Sequence, residues 1–90
     1  MTIVEFLNAR LDDQEADGRA LDYLQTGEFL LADAAAKRRM TERAWLSVQY
    51  LPPEMRTPAG DAAAFHAFWV LGELASVYAE HPDYDLAWKP

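Results

Sequence analysis

A chain of 90 residues, 51% hydrophobic and 12% aromatic, has the material for one compact core and not for two. It has no cysteine, which excludes disulfides, thiolate metal sites and a cysteine nucleophile. A formal net charge of −7 disfavours nucleic acid and anionic membrane as partners, because both require a cationic face.

The opening stretch, MTIVEFLNARLDDQE, carries acids where a signal peptide carries a basic region and an apolar stretch. No apolar run approaches the roughly 20 residues that span a bilayer. The sequence therefore reads as a mature cytoplasmic protein, with residues 1–90 as a single helical domain. Charge is distributed in blocks. Residues 1–36 hold eight acids and two bases, whereas KRRMTER at 37–43 holds four bases and one acid. Arginine is favoured over lysine and alanine is abundant, as in high-GC genomes.

The first helix is expected over about 2–24. Thr2 and Glu5 form a capping-box signature ahead of an apolar run. Ile3, Leu7, Leu11, Gly18 and Leu21 recur at helical spacing, flanked by Val4, Phe6 and Leu24. Gly18 costs about 1 kcal/mol relative to alanine, so it marks either close packing or an early end. A turn is expected near Thr26-Gly27. The second helix is expected over about 28–50, with Glu28 at the positive end of its macrodipole. Its stripe is Phe29, Ala36, Met40, Ala44, Ser47 and Leu51, widened by Leu30, Ala34 and Val48. Pro52-Pro53 stops it. Thr57-Pro58 supplies an N-cap and a first-position proline for a third helix over about 58–80, with Asp61 as a second cap candidate. His81-Pro82 ends that helix, and Asp83 caps a last helical turn carrying Tyr84, Leu86 and Trp88. Strand signals are weak and no internal repeat is visible. Short connections favour antiparallel neighbours, so the expected fold is all-α, a three-helix bundle with a short C-terminal helical turn.

Phe65, Phe68, Leu71, Leu74, Ala75, Tyr78 and Ala79 cover a broad arc of the third helix, leaving a narrow polar strip of His66, Glu73, Ser76 and Glu80. A helix apolar nearly all round is expected to be the central, most buried one. Trp69 falls inside the polar strip. It is read either as an exposed anchor for a partner or, as favoured here, as covered by the terminal segment, where Tyr84 and Trp88 need somewhere to pack.

No motif marks catalysis. The two histidines, His66 and His81, are not a helical ligand pair, and HExxH is absent. His66 reads as a surface imidazole and His81 as a helix-end residue. Ser47 and Ser76 lie in no nucleophile motif, and the four glycines form no phosphate loop. Asp12-Asp13 reads as a solvated face. No metal and no cofactor are expected. In the basic cluster Lys37, Arg38, Arg39 and Arg43, only Arg39 and Arg43 share a face. The expected role of the cluster is pairing with the acidic first helix, ahead of phosphate contact. Lys37 is expected to pack its stem while its amine reaches solvent.

Three stretches, IVEFLNARLDDQE, LADAAAKRR and YAEHPDYDLAWKP, resemble a family of small uncharacterised proteins of actinomycetes and their phages. The resemblance rests on Phe6, Leu7, Ala9, Arg10, Leu11, Asp12 and Glu15; on Ala35 to Arg39; and above all on Ala79, His81, Pro82, Asp83, Tyr84 and Trp88. It covers about half the chain. The G-P-W-type segment and the cysteines of many such relatives are missing, so functions that need them are not expected. The resemblance implies a host context and no mechanism.

The reading that follows is a non-enzymatic protein that binds another protein, with Trp69, Glu73, Tyr84 and Trp88 as interaction candidates and homodimerisation as a further expectation. The alternatives are a nucleic-acid-associated regulator using Lys37, Arg38, Arg39 and Arg43, and, less favoured, a small metal-dependent enzyme centred on His66 and His81.

Overall fold

The computed structural model describes residues 1–21, 25–49 and 58–90. It contains three α-helices: α1 (Ile3–Ala20), α2 (Gln25–Gln49) and α3 (Pro58–Ser76). They are followed by a short 3-10 turn at Leu86–Trp88. The fold is all-α, a three-helix bundle. No strand occurs among the described residues.

The start of α1 matches its sequence signature. The Thr2 hydroxyl accepts the Glu5 N–H at 3.1 Å, and the Glu5 carboxylate accepts the Thr2 N–H at 3.0 Å. The helix ends at Ala20 with Leu21 as its cap, short of the expected limit. The expected turn at Thr26-Gly27 is overturned, because α2 begins at Gln25 and both residues are helical. The reason is steric. Gly27 is buried where α1 and α2 cross, and a Cβ there would overlap the Leu21 carbonyl and stand 2.7 Å from the Gly18 carbonyl oxygen. Gly18 is its counterpart, with the Leu31 side chain 2.9 Å from where its Cβ would sit. Both glycines serve the approach of two helices.

The core takes its bulk from α1. Phe6, Leu7 and Leu11 are buried, and Ala44 of α2 and Ala67, Leu71 and Ala75 of α3 close around Phe6 and Leu7. Small side chains on α2 and α3 allow them to approach, while the large α1 side chains fill the space between. The stripe expected on α2 meets the core at Ala44 but is otherwise out of phase with the structure. Phe29, Met40 and Ser47 are exposed, and the inward face runs through Gly27, Leu31, Ala34, Arg38, Thr41, Ala44, Trp45 and Val48. The residues assigned to the widened margin, Ala34 and Val48 among them, lie nearer the true centre. Spacing by apolar residues alone missed this because polar Thr41 and Arg38 sit on the inward face. Thr41 is buried with its hydroxyl donating to the Lys37 carbonyl at 2.8 Å. The ends expected at Pro52-Pro53 and Thr57 lie outside the described residues, while Pro58 does open α3.

α3 is shorter than expected, giving way after Ser76 to turns over residues 77–83. Its burial is one-sided. Phe65 and Phe68, placed on its apolar arc by the sequence, are exposed, and Ala67, Leu71, Gly72 and Ala75 form the inward line. A narrow line of small residues suffices against two neighbours, which leaves the bulky outer residues without one. No described helix is long and apolar enough to cross a membrane.

Polar links fix the α1–α2 pairing. Gln14 donates through Nε2 to the Leu30 carbonyl and to Asp33, both at 2.9 Å. Asp33 also pairs with Lys37 at 2.8 Å. The Lys37 and Gln14 hydrogen bonds hold the Asp33 carboxyl below its ordinary value of 3.8. The hydrogen bonds from Thr2 do the same for Glu5, ordinarily 4.5. A carboxyl depressed in the folded state contributes stability above its unfolded pKa and loses it as pH falls through the folded value. The urea midpoint is therefore expected to drop between about pH 5 and about pH 3, less steeply in Glu5→Gln and Asp33→Asn variants. Gly27→Ala is expected to destabilise by about 2–3 kcal/mol, since backbone atoms must move. Gly18→Ala, which meets the Leu31 side chain and, at 3.2 Å, the Gly27 carbonyl oxygen but gains about 1 kcal/mol of helix propensity, is expected to destabilise less than Gly27→Ala. Denaturant unfolding of both variants checks the contrast.

Candidate functional site

The terminal motif forms a cage around one α1 side chain. Phe6, fully buried, meets Tyr78, His81 and Tyr84 edge-on at ring distances of 6.0, 5.6 and 6.1 Å. Trp88 lies at 5.1 Å, tilted by 45°. Tyr84 and Trp88 also meet edge-to-face at 5.7 Å. All of these pairs but Phe6–Trp88 are edge-to-face, an arrangement worth about 0.5–1.5 kcal/mol per pair beyond area burial. The Arg10 guanidinium completes the cage, 5.4 Å from the Phe6 centroid. Its Nη2 pairs with Asp13 at 3.3 Å, while its buried Nε and Nη1 have no hydrogen-bond partner among the described residues. The aromatic face supplies part of the compensation that this cation would otherwise lack.

The backbone explains the motif's spacing. His81 accepts the Asp83 N–H on Nδ1 at 3.0 Å, and the Tyr84 N–H donates to the His81 carbonyl at 3.0 Å. This tight turn brings Tyr84 back under α1. The cap expected at Asp83 falls instead to Asp85, whose carboxylate accepts the Ala87 N–H at 2.9 Å and starts the last turn. The chain then lies across Gly72, where a Cβ would stand 2.9 Å from the Trp88 carbonyl oxygen. Tyr84 and Trp88 are thus anchors of the chain's own tail. Phe6, which sequence reading gave only a flanking place, is the residue they require. Its signal was present only as the one aromatic ring in α1.

The expectation that the tail covers Trp69 is overturned. Trp69 and Gly72 are about 60° apart around α3, and the tail follows the glycine. Trp69 is 50% exposed and stacks on His66 at 5.9 Å and 18°. Beside it lie Phe65, 77% exposed, and Phe68, 52% exposed. These three aromatics, Ile3 and the tail residues Trp88 to Pro90 border an open groove of about 480 Å³. On the other flank of α3, two shallower grooves run along α2. One carries Met40, Arg43, His66 and Val70; the next carries Lys37, Met40, Trp69, Glu73 and Val77.

The basic cluster is divided. Arg38 donates to Glu15 at 2.8 and 3.1 Å, to Asp12 at 3.0 Å and to Asn8 at 3.1 Å. Positions 8, 12 and 15 fall on one α1 stripe at i, i+4 and i+7. The Glu15 hydrogen bond, then that of Asp12, raises the Arg38 pKa above its ordinary value. Lys37 is half-buried and its amine pairs with Asp33. Arg39 and Arg43 are exposed and make no ion pair among the described residues. His66 and His81 are not brought together: one stacks on Trp69, the other packs against Phe6. Among the described residues no three His, Asp or Glu side chains gather as a metal site.

Residues 28–90 match the model of a family of unknown function, DUF6221. The chain belongs to this family. The matched segment takes in α3, the terminal cage residues and nearly all of α2, and leaves α1 with Phe6 outside. No curated protein and no solved structure matches the chain.

Phe6→Ala removes the centre of the cage and is expected to cost about 3–5 kcal/mol, a large share of a small domain's stability. Loss of the near-ultraviolet circular dichroism of the terminal aromatics should accompany the fall in unfolding midpoint, with Phe6→Leu intermediate.

Proposed function

We propose that this protein is a non-enzymatic, protein-binding accessory or regulatory protein of an actinobacterium or its phage, acting in the cytoplasm, and that it binds through the outer face of α3. The observation that carries this reading is the exposure of Phe65, Phe68 and Trp69 side by side on that face. At about 200 Å² per aromatic side chain, their exposed fractions amount to roughly 350 Å². A contiguous patch of that size is typical of functional surface on a monomer. Tryptophan is also the residue type most enriched among side chains that dominate binding energy. Of the interaction candidates, Trp69 and Glu73 lie on this face, while Tyr84 and Trp88 hold the tail against Phe6. The actinobacterial context is supported by the resemblance of the terminal motif and by the arginine- and alanine-rich composition. A nucleic-acid reading would have to rest on Arg39 and Arg43, because Arg38 is committed to α1.

The test compares wild type with Trp69→Ala and Phe65→Ala as baits in an actinobacterial lysate, with quantitative mass spectrometry. Proteins captured by wild type are expected to fall at least tenfold with either variant, while unfolding stability changes by no more than about 1 kcal/mol. Capture that is absent, or unchanged by both substitutions, rejects the reading.

A further inference from the structure

The occupant of the α3 face can be named from its chemistry, and this step rests on the reading of that face as an interface. We propose that it is a second copy of this chain, docked α3 against α3 in antiparallel fashion about a two-fold axis passing between Trp69 and Val70.

Charge points to a like copy. With a net charge of −7, two copies repel wherever their acidic surfaces meet. The stretch 62–79 is the exception, holding Glu73 as its only Asp, Glu, Lys or Arg. The acids of α1, with Asp12, Asp13 and Asp17 exposed, lie on another helix. Joining two chains at α3 therefore keeps the like charges apart.

The remaining charges on the face are self-complementary. Arg43 and His66 share one α2–α3 groove, and Glu73 lies in the next, beyond Trp69. Antiparallel two-fold docking pairs position i with position 139 − i, so each residue contacts its counterpart reciprocally. His66 then faces the partner's Glu73, with Arg43 alongside. Val77 faces the partner's Ala62, a bulky residue against a small one. The two Trp69 rings flank the axis, where anchors are best shielded from water.

The residues around the axis are open to such a partner. At about 100° per residue Ala62, Trp69 and Val77, all exposed, fall within about 50° of the axis direction, and Met40 of α2 borders the same two grooves, while Phe65 and Phe68 lie on the other flank, outside this contact. The copy occupying this face would also cover the outer side of a helix whose composition is that of a buried one.

The experiment is sedimentation equilibrium of the full chain from about 1 μM to about 1 mM, with helicity of each variant checked by far-ultraviolet circular dichroism. Wild type is expected to sediment as a dimer with a micromolar or tighter dissociation constant. Trp69→Glu should weaken association at least about 30-fold with helicity retained. His66→Glu should weaken it about tenfold by facing the partner's Glu73, and the double variant His66→Glu/Glu73→Lys should recover it. A monomer at every concentration, or a dimer indifferent to Trp69→Glu, overturns the proposal. Failure of the double variant to recover overturns the register. If the chain is monomeric while lysate capture still depends on Trp69, only the second-copy assignment fails. If that capture is also absent, the interface reading fails with it.

Discussion

The burial of Phe6 is the contact on which the rest depends. It lies in the first turns of α1, yet Tyr78, His81, Tyr84 and Trp88 from beyond α3 all close on it. One ring thereby ties the two ends of the chain together. The tail has little else to hold it: its 3-10 turn contains no fully buried residue, and its turns are stabilised by local hydrogen bonds. Such bonds are worth about 1 kcal/mol each in net terms, too little to order a tail without apolar burial. The matched family segment begins after α1, so it takes in the cage residues and leaves out the ring that they enclose.

A second constraint follows from how side-chain volume is shared out. Large residues on α1 meet alanines and glycines on α2 and α3, and the helices approach closely. Close packing on the inside uses the small residues of α3, which displaces Phe65, Phe68 and Trp69 outward. The exposed aromatic face is thus a consequence of the core's design, and the tail leaves it open by crossing at Gly72 rather than at Trp69.

Electrostatics divides the surface in the same way. Of the bases in α2, Arg38 meets the acidic face of α1 at Asn8, Asp12 and Glu15, whereas Lys37 pairs with Asp33 of its own helix and Arg39 and Arg43 are exposed. These groups are partly exposed, so each pair contributes little, on the order of 1 kcal/mol or less. Their use lies in register, since a guanidinium with four hydrogen bonds fits one alignment of two helices.

The sequence by itself determined the elements. The capping box at Thr2 and Glu5, the first-position Pro58 and helical periodicity are local signals, read within a few residues, and all-α architecture follows from them. The pairing of the basic cluster with the acidic helix was legible for Arg38 alone; Lys37 turns to Asp33 on its own helix, and Arg39 and Arg43 make no ion pair among the described residues. Tertiary structure decided what local pattern cannot encode. Gly27 reads as a turn until its neighbour across the helix crossing is known. Apolar spacing passes over Arg38 and Thr41, and only the packed helices place them on the inward face. Phe6 flanks an apolar stripe and Trp69 sits in a polar strip, but neither local setting says which ring the tail covers. The tail chose between them by the path its turn at His81-Pro82 imposes, and that path is a property of three elements packed together.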